Sequence, residues 1–404
     1  MTPLVLLMAL LALSYLGSYF VEGRALEGIG LPSGVEWVVV GIVLGPSALN
    51  VIRYASLVSL APLVHVAVGW LGLIVGLEYG SAGGGRLGLR SFLLGMVSSG
   101  VPFVLAFAAA HVVATRYGHH TSHEATRIAA AVGALSSETT RHAVRWARAR
   151  FGAKGALTDL LDQLADTEDL VPLLALAVLS FDLVRRSGGA QVMGALGALI
   201  AGAAVLGAIG AALLGRTFHV REAWGMVLGI ALVGSGLAVR LGFATMPFAF
   251  VMGLVLSLAS PLRDRLLALL GPTERPVLLP ALVMLGASLH FALQPWAYLL
   301  IGAAVLARVL GKLLVGAGLS AFHPEARAGG PWVGAALGSS GVVTAGIALS
   351  IALAAPGPLG DAALLLAFAQ LVVGELFGPV AVRAALARAG DLVASAEPQP
   401  EARS

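Results

Sequence analysis

The 404-residue chain is 58% hydrophobic and only 11% charged, with a mean hydropathy of +0.92. Soluble domains carry about a quarter charged residues, so this composition excludes a water-soluble globule and points to lipid as the solvent. The absence of cysteine excludes disulfides and thiolate metal sites, and the net charge of +4 matters less than where the cations sit.

A spanning helix needs about 20 apolar residues. Hydrophobic segments of roughly that length fall near 3–20, 35–51, 58–77, 88–114, 125–146, 157–182, 190–214, 223–239, 242–258, 277–292, 295–320, 331–353 and 360–386. Thirteen spans leave no room for a separate soluble domain. The expected architecture is an all-α membrane protein, one transmembrane unit over 1–404 with a short tail at 388–404. Residues 1–20 lack a basic stretch and read as a retained span rather than a cleaved signal. Breakers and charges mark the joints: Gly83-Gly84-Gly85, Arg263-Asp264-Arg265, Gly271-Pro272 and Pro356-Gly357-Pro358.

With the amino terminus outside, the inner loops and tail receive about sixteen cations, among them Arg86, Arg145, Arg148, Arg150, Lys154 and Arg263, against about six outside. Thirteen spans then put the carboxyl terminus in the cytoplasm, and the expected location is the inner membrane. A weak internal repeat supports the parity. Gly41-Ile42-Val43-Leu44 recurs as Gly253-Leu254-Val255-Leu256, and Ala134-Leu135-Ser136-Ser137 echoes in Leu337-Gly338-Ser339-Ser340. Each pair lies seven spans apart and so faces opposite ways. The expected repeats run from about 30 to 182 and from about 242 to 387. Inverted repeats mark secondary transporters, whose ion sites lie where helices are broken at the midplane.

Ionisable groups inside spans are costly and functional by default. In segment 157–182, Asp162, Asp166 and Asp169 recur at i, i+4 and i+7 on one helical face. They form a ladder from the cytoplasmic surface towards the membrane centre, or else Asp162 belongs to a solvated helix end. Glu168 lies about 100° around from Asp169, close enough for both to line one cavity. A carboxylate can hold a monovalent cation or a proton, and burial beside a second carboxylate favours the proton. Lys312 is one of only two lysines and sits in mid-span. It needs an acidic partner, for which Glu168 or Asp169 serve, unless it snorkels to an interface; Arg308 shares its face and could pair with another acid.

Two stretches look interrupted. Ser136, Ser137, Glu138, Thr139, Thr140 and Arg141 compete for backbone hydrogen bonds, and unwinding there would supply carbonyls and hydroxyls to a dehydrated cation. Leu337 to Gly341, with Ser339 and Ser340, is glycine-rich and fits either unwinding or close helix packing. His119, His120 and His123 with Glu124 have metal-ligand spacing but fit a solvated outer loop better. No phosphate-cradling loop stands out, which argues against an ATP-driven pump.

At these residues the chain resembles the monovalent cation/proton antiporter family of sodium/proton antiporters and potassium efflux proteins. The likeness lies in Gly30-Leu31-Pro32 through Gly45-Pro46, Leu73 through Glu78, Ala134 through Ser137, Thr167-Glu168-Asp169-Leu170, Gly311-Lys312-Leu313-Leu314 and Gly341 through Ser350. The resemblance implies an inverted-repeat fold with two broken crossing helices, a dimerisation domain and a mobile core domain. It implies that Asp169 carries the cation and proton, that Glu168 pairs with Lys312, and that the protein is a homodimer. The chain departs from the family at Glu168, Leu337 and Ser339, and in carrying Glu138 and Arg141.

The expected function is therefore transport rather than enzymatic catalysis: exchange of H+ for Na+ or K+ by alternating access, electrogenic because two carboxylates and a lysine can carry more protons than cations. No cofactor is expected, and no metal beyond a monovalent cation at Asp169. Competing readings are a sodium-coupled organic anion symporter, an uncoupled ion channel and a non-transporting membrane sensor.

Overall fold

The computed structural model describes residues 4–10, 12, 34–82, 89–185, 189–215, 220–260 and 262–392. Much of the expected first span, Gly30-Leu31-Pro32, the Gly83-Gly84-Gly85 joint and the tail beyond 392 lie outside them. Every regular element among the described residues is helical. In chain order these include α1 (Val35–Leu44), α2 (Tyr54–Ser59), α3 (Ala61–Ala82), α4 (Leu89–Arg116), α5 (Ser122–Ser137), α6 (Arg141–Phe151), α7 (Ala156–Thr167), α8 (Leu170–Arg185), α9 (Gly189–Leu214) and α10 (Val220–Leu241). They continue with α11 (Thr245–Ala259), α12 (Arg263–Leu270), α13 (Glu274–Ala287), α14 (Pro295–Phe322), α15 (Pro324–Gly329), α16 (Trp332–Ala336), α17 (Val342–Ala354) and α18 (Pro358–Ala389).

The protein is a multi-pass membrane protein. Six described helices are long and apolar enough to cross a bilayer alone, within α3, α4, α9, α10, α14 and α18. Several of the other expected spans fall on shorter or interrupted helices, including the apolar α1, α11 and α17. Segments 242–258 and 277–292 are realised as α11 and α13, moved by a few residues.

Three segments expected as single spans are broken. Segment 125–146 becomes α5 and α6, parted at Glu138–Thr140, and segment 331–353 becomes α16 and α17, parted at Leu337–Gly341. Both interruptions fall where polar or glycine-rich residues foretell them. The third, between α7 and α8 at Glu168–Asp169, is not foretold: the acidic pair sits at a break and not within a continuous helix.

Local chemistry sets these boundaries. Thr121 caps α5 in a reciprocal capping box with Glu124. Thr140 caps α6, its hydroxyl accepting from the His142 amide at 3.4 Å, and Gly152 ends that helix in the left-handed conformation.

Tight packing depends on small residues. Where α3 crosses α11, a Cβ on Gly76 would fall on the Phe250 carbonyl and one on Gly253 on the Leu73 carbonyl. Where α1 crosses α13, Gly41 meets the Val283 carbonyl and Gly286 the Val38 carbonyl in the same way. The broken stretches lie in the interior, with Ser136 to Thr140 and Ser339 to Thr344 all buried.

Candidate functional site

The two unwound stretches cross and bond to each other. The Thr140 amide donates to the Ser339 carbonyl at 3.0 Å, and the Thr139 hydroxyl to the Leu337 carbonyl at 2.8 Å. Glu138 reaches across, its carboxylate accepting from the Gly341 amide at 3.1 Å and from the Thr344 hydroxyl. Arg308 of α14 donates to the Glu138 carbonyl at 2.5 Å and to the Gly338 and Ser339 carbonyls at 3.3 and 3.2 Å. Arg308 thus binds main-chain oxygens at the crossing, where the sequence suggested an acid partner. Unwound carbonyls need donors when water is excluded, and a guanidinium supplies several.

The acidic pair splits at its helix break. Glu168 is fully buried and meets Lys312 Nζ at 2.5 Å; it also accepts from the Ser98 hydroxyl, and Lys312 donates to the Ser98 carbonyl at 3.3 Å. Asp169 points elsewhere, to Arg141 Nη2 at 3.1 Å. The expectation that both carboxylates line one cavity is therefore corrected. The two buried carboxylates are drawn to different cations, Glu168 to Lys312 and Asp169 to Arg141, and of the two only Asp169 borders the cavity. Of the acidic pair, Lys312 meets Glu168.

A cavity adjoins Asp169, bordered by Glu78, Glu138, Thr140, Arg141 and Glu274 among others. The acidic ladder leads in from the surface: side-chain exposure falls from 68% at Asp159 to 26% at Asp162 and Asp166 and 2% at Asp169. A second ladder faces it. Arg141, Arg145 and Arg148 recur at i, i+4 and i+7 on α6. Arg148 meets Asp159 at 2.7 Å and Asp162 at 3.2 Å, and Arg141 approaches Asp166 at 3.8 Å. Arg141 also pairs with Glu78, which Arg145 reaches at 3.3 Å, and His142 meets Glu274 at 3.2 Å. Asp162 and Asp166 are thus paired with α6 arginines rather than standing as bare carboxylates.

The remaining expected residues sit at the crossing. The Ser136 hydroxyl accepts from Gln370 at 2.8 Å, and the Ser137 hydroxyl turns back to the Ala134 carbonyl at 3.0 Å. The buried Ser339 and Ser340 hydroxyls have no hydrogen-bond partner. In the His119–Glu124 stretch, Glu124 serves the capping box and stands 3.6 Å from His120.

No family model and no curated protein matches the sequence. Solved structures do. A structure of the sodium proton antiporter MjNhaP1 from Methanocaldococcus jannaschii at pH 8 superposes with a TM-score of 0.63 at 16% identity, covering 96% of this chain and 100% of that one. An electron-microscopy map of the same antiporter gives 0.64 at 16% identity, covering 97% and 99%. The chain has the fold of a sodium proton antiporter. At this identity the likeness is one of fold.

Within that antiporter fold, sequence reasoning anticipates the Glu168–Lys312 contact and both interruptions. It overlooks Ser98 and Glu274, gives Glu78 no role at the site, and treats Arg141 as part of an interruption and a departure from the family pattern. One signal was available for Arg141: arginines at 141, 145 and 148 match in period the acids at 162, 166 and 169.

Proposed function

We propose that the chain is a secondary active transporter that exchanges H+ for Na+ or K+ by alternating access, with Asp169 as the group that takes cation and proton in turn. The observation that carries this reading is a buried carboxylate at a helix break, beside a cavity and an inward-leading row of acids. A carboxylate so placed binds either a bare cation or a proton, and competition between them couples the two fluxes. Glu138, Thr139 and Thr140 supply further oxygens at the crossing, and Ser136, Ser137, Ser339 and Ser340 support the unwound stretches.

Glu168 and Lys312 tune the site. A lysine held by a carboxylate in a dry interior can release its proton when that partner is lost or protonated, which arginine cannot do. Exchange would then be electrogenic. Two inverted repeats, about 30–182 and 242–387, are supported by paired crossings: α1 against α13 and α3 against α11 are related by exchanging the repeats. A dimerisation domain, a mobile core, a homodimer and an inner-membrane location with the amino terminus outside complete the reading.

The test is internal pH in proteoliposomes after addition of Na+, Li+ or K+. Wild type should show cation-driven proton movement, and Asp169→Asn should abolish it while folding normally. Wild type without such movement refutes exchange of those ions, and normal transport by Asp169→Asn refutes the site.

A further inference from the structure

Arg141 holds the carboxylate to which the exchange reading assigns the cation. Asp169 is 2% exposed in its side chain, and the contact made by its carboxylate is with Arg141 Nη2 at 3.1 Å. Arginine keeps its proton at any accessible pH, so this partner clears only by moving. The surroundings permit that motion. Arg141 already pairs with Glu78 on α3, and its Nε lies 3.8 Å from Asp166 Oδ1. That oxygen is buried and has no hydrogen-bond partner. A short swing towards α7 would give the guanidinium a new acceptor and give Asp166 the donor it lacks. Glu78 keeps Arg145 as a second partner throughout, at 3.3 Å. The adjoining cavity is bordered by Glu78, Arg141 and Asp169.

We infer that Arg141 is a tethered competitor of the transported cation, seated on Asp169 when no cation is bound and handed to Asp166 and Glu78 when one arrives. The inference rests on the exchange reading of Asp169 above and adds a specificity-determining residue to it. A resident guanidinium spares the empty site an unpaired buried carboxylate. It also lowers apparent cation affinity by the fraction of time that Asp169 is covered. Asp166 acts through Arg141 and is a positioning residue.

The experiment uses the full chain, in proteoliposomes for transport and in detergent for Na+-dependent thermal stabilisation, which reads binding without transport. Arg141→Gln should lower the half-saturating Na+ concentration about tenfold in both assays. Arg141→Lys, which keeps a competing charge, should restore it towards wild type. Asp166→Asn weakens the alternative acceptor and should raise the half-saturating concentration several-fold. An unchanged value in Arg141→Gln overturns the inference. Should Arg141→Gln fail to fold, Asp166→Asn decides: a raised value supports the competitor and an unchanged one overturns it. Wild type that binds Na+ but moves no protons refutes the exchange reading and leaves the competition to the thermal assay. Wild type that does neither overturns both.

Discussion

Lys312 and Glu168 illustrate how a buried ion pair is fixed by what each partner would cost alone. Both side chains are at most 1% exposed, and their charged atoms meet at 2.5 Å. Taking two charges out of water returns little net stability, but removing one partner strands the other in a dry interior. Lys312→Met should therefore lower stability by about 3–5 kcal/mol, whereas Lys312→Met with Glu168→Gln should recover most of that loss. Thermal melting in detergent checks this, and a double variant melting no higher than the single one would show that the pair is not a coupled unit. The contact was legible in part: a lysine in mid-span needs an acid, which left Glu168 or Asp169, and the family resemblance implied Glu168. The pairing of Asp169 with Arg141 was not legible. Its geometry depends on two helix breaks that swing α6 against α7, and linear spacing carries no information on how far a break turns the chain.

The helices show why breaks are read unevenly. Glu138 to Thr140 and Leu337 to Gly341 consist of residues that bond locally or lack a side chain, so an interruption is written into their chemistry. Glu168–Asp169 interrupts a segment whose acids keep helical period, and there the two carboxylates find different partners in three dimensions. The helix crossings were half legible: the repeated Gly41 and Gly253 were visible, but not the carbonyls they face. At Gly76 a side chain would meet the Phe250 main-chain carbonyl, which cannot turn aside as a flexible side chain could. Gly229 in α10 has open space where its Cβ would be. Gly76→Val should cost about 1–3 kcal/mol from overpacking, while Gly229→Ala should be neutral or slightly stabilising. Melting temperatures of the two purified variants test this, and equal values would show that the α3–α11 crossing is looser than its geometry indicates.

At the scale of the molecule, the end of the described chain is tied to the proposed site. Helix α7, which carries Asp159, Asp162 and Asp166 of the acidic ladder, is preceded by Gly155, a residue with no side chain to cap it. Asp391, beyond the end of α18, supplies the cap instead. Its carboxylate accepts from the Thr158 amide at 2.7 Å and from the Thr158 hydroxyl at 2.8 Å, and its carbonyl accepts from the Lys154 amide at 2.8 Å. Glycine is required at 155, because its φ of 155° disfavours a side chain and a Cβ there would strike the Asp391 carboxylate. A negative group at a helix start also answers the positive end of the helix dipole. No sequence pattern foretells a cap from 233 residues away. Losing a cap costs about 1 kcal/mol, so Asp391→Ala should leave the fold intact and loosen the first turn of α7. Hydrogen exchange tests this locally: amides 156–160 should exchange severalfold faster in the variant, with those of α3 unchanged. Because Asp159 and Asp162 stand on these turns opposite Arg148, the same variant should weaken the outer rungs of the charge ladder. An Arg148→Gln variant would then add little further exchange to Asp391→Ala, whereas full additivity would show the cap and the ladder to be independent.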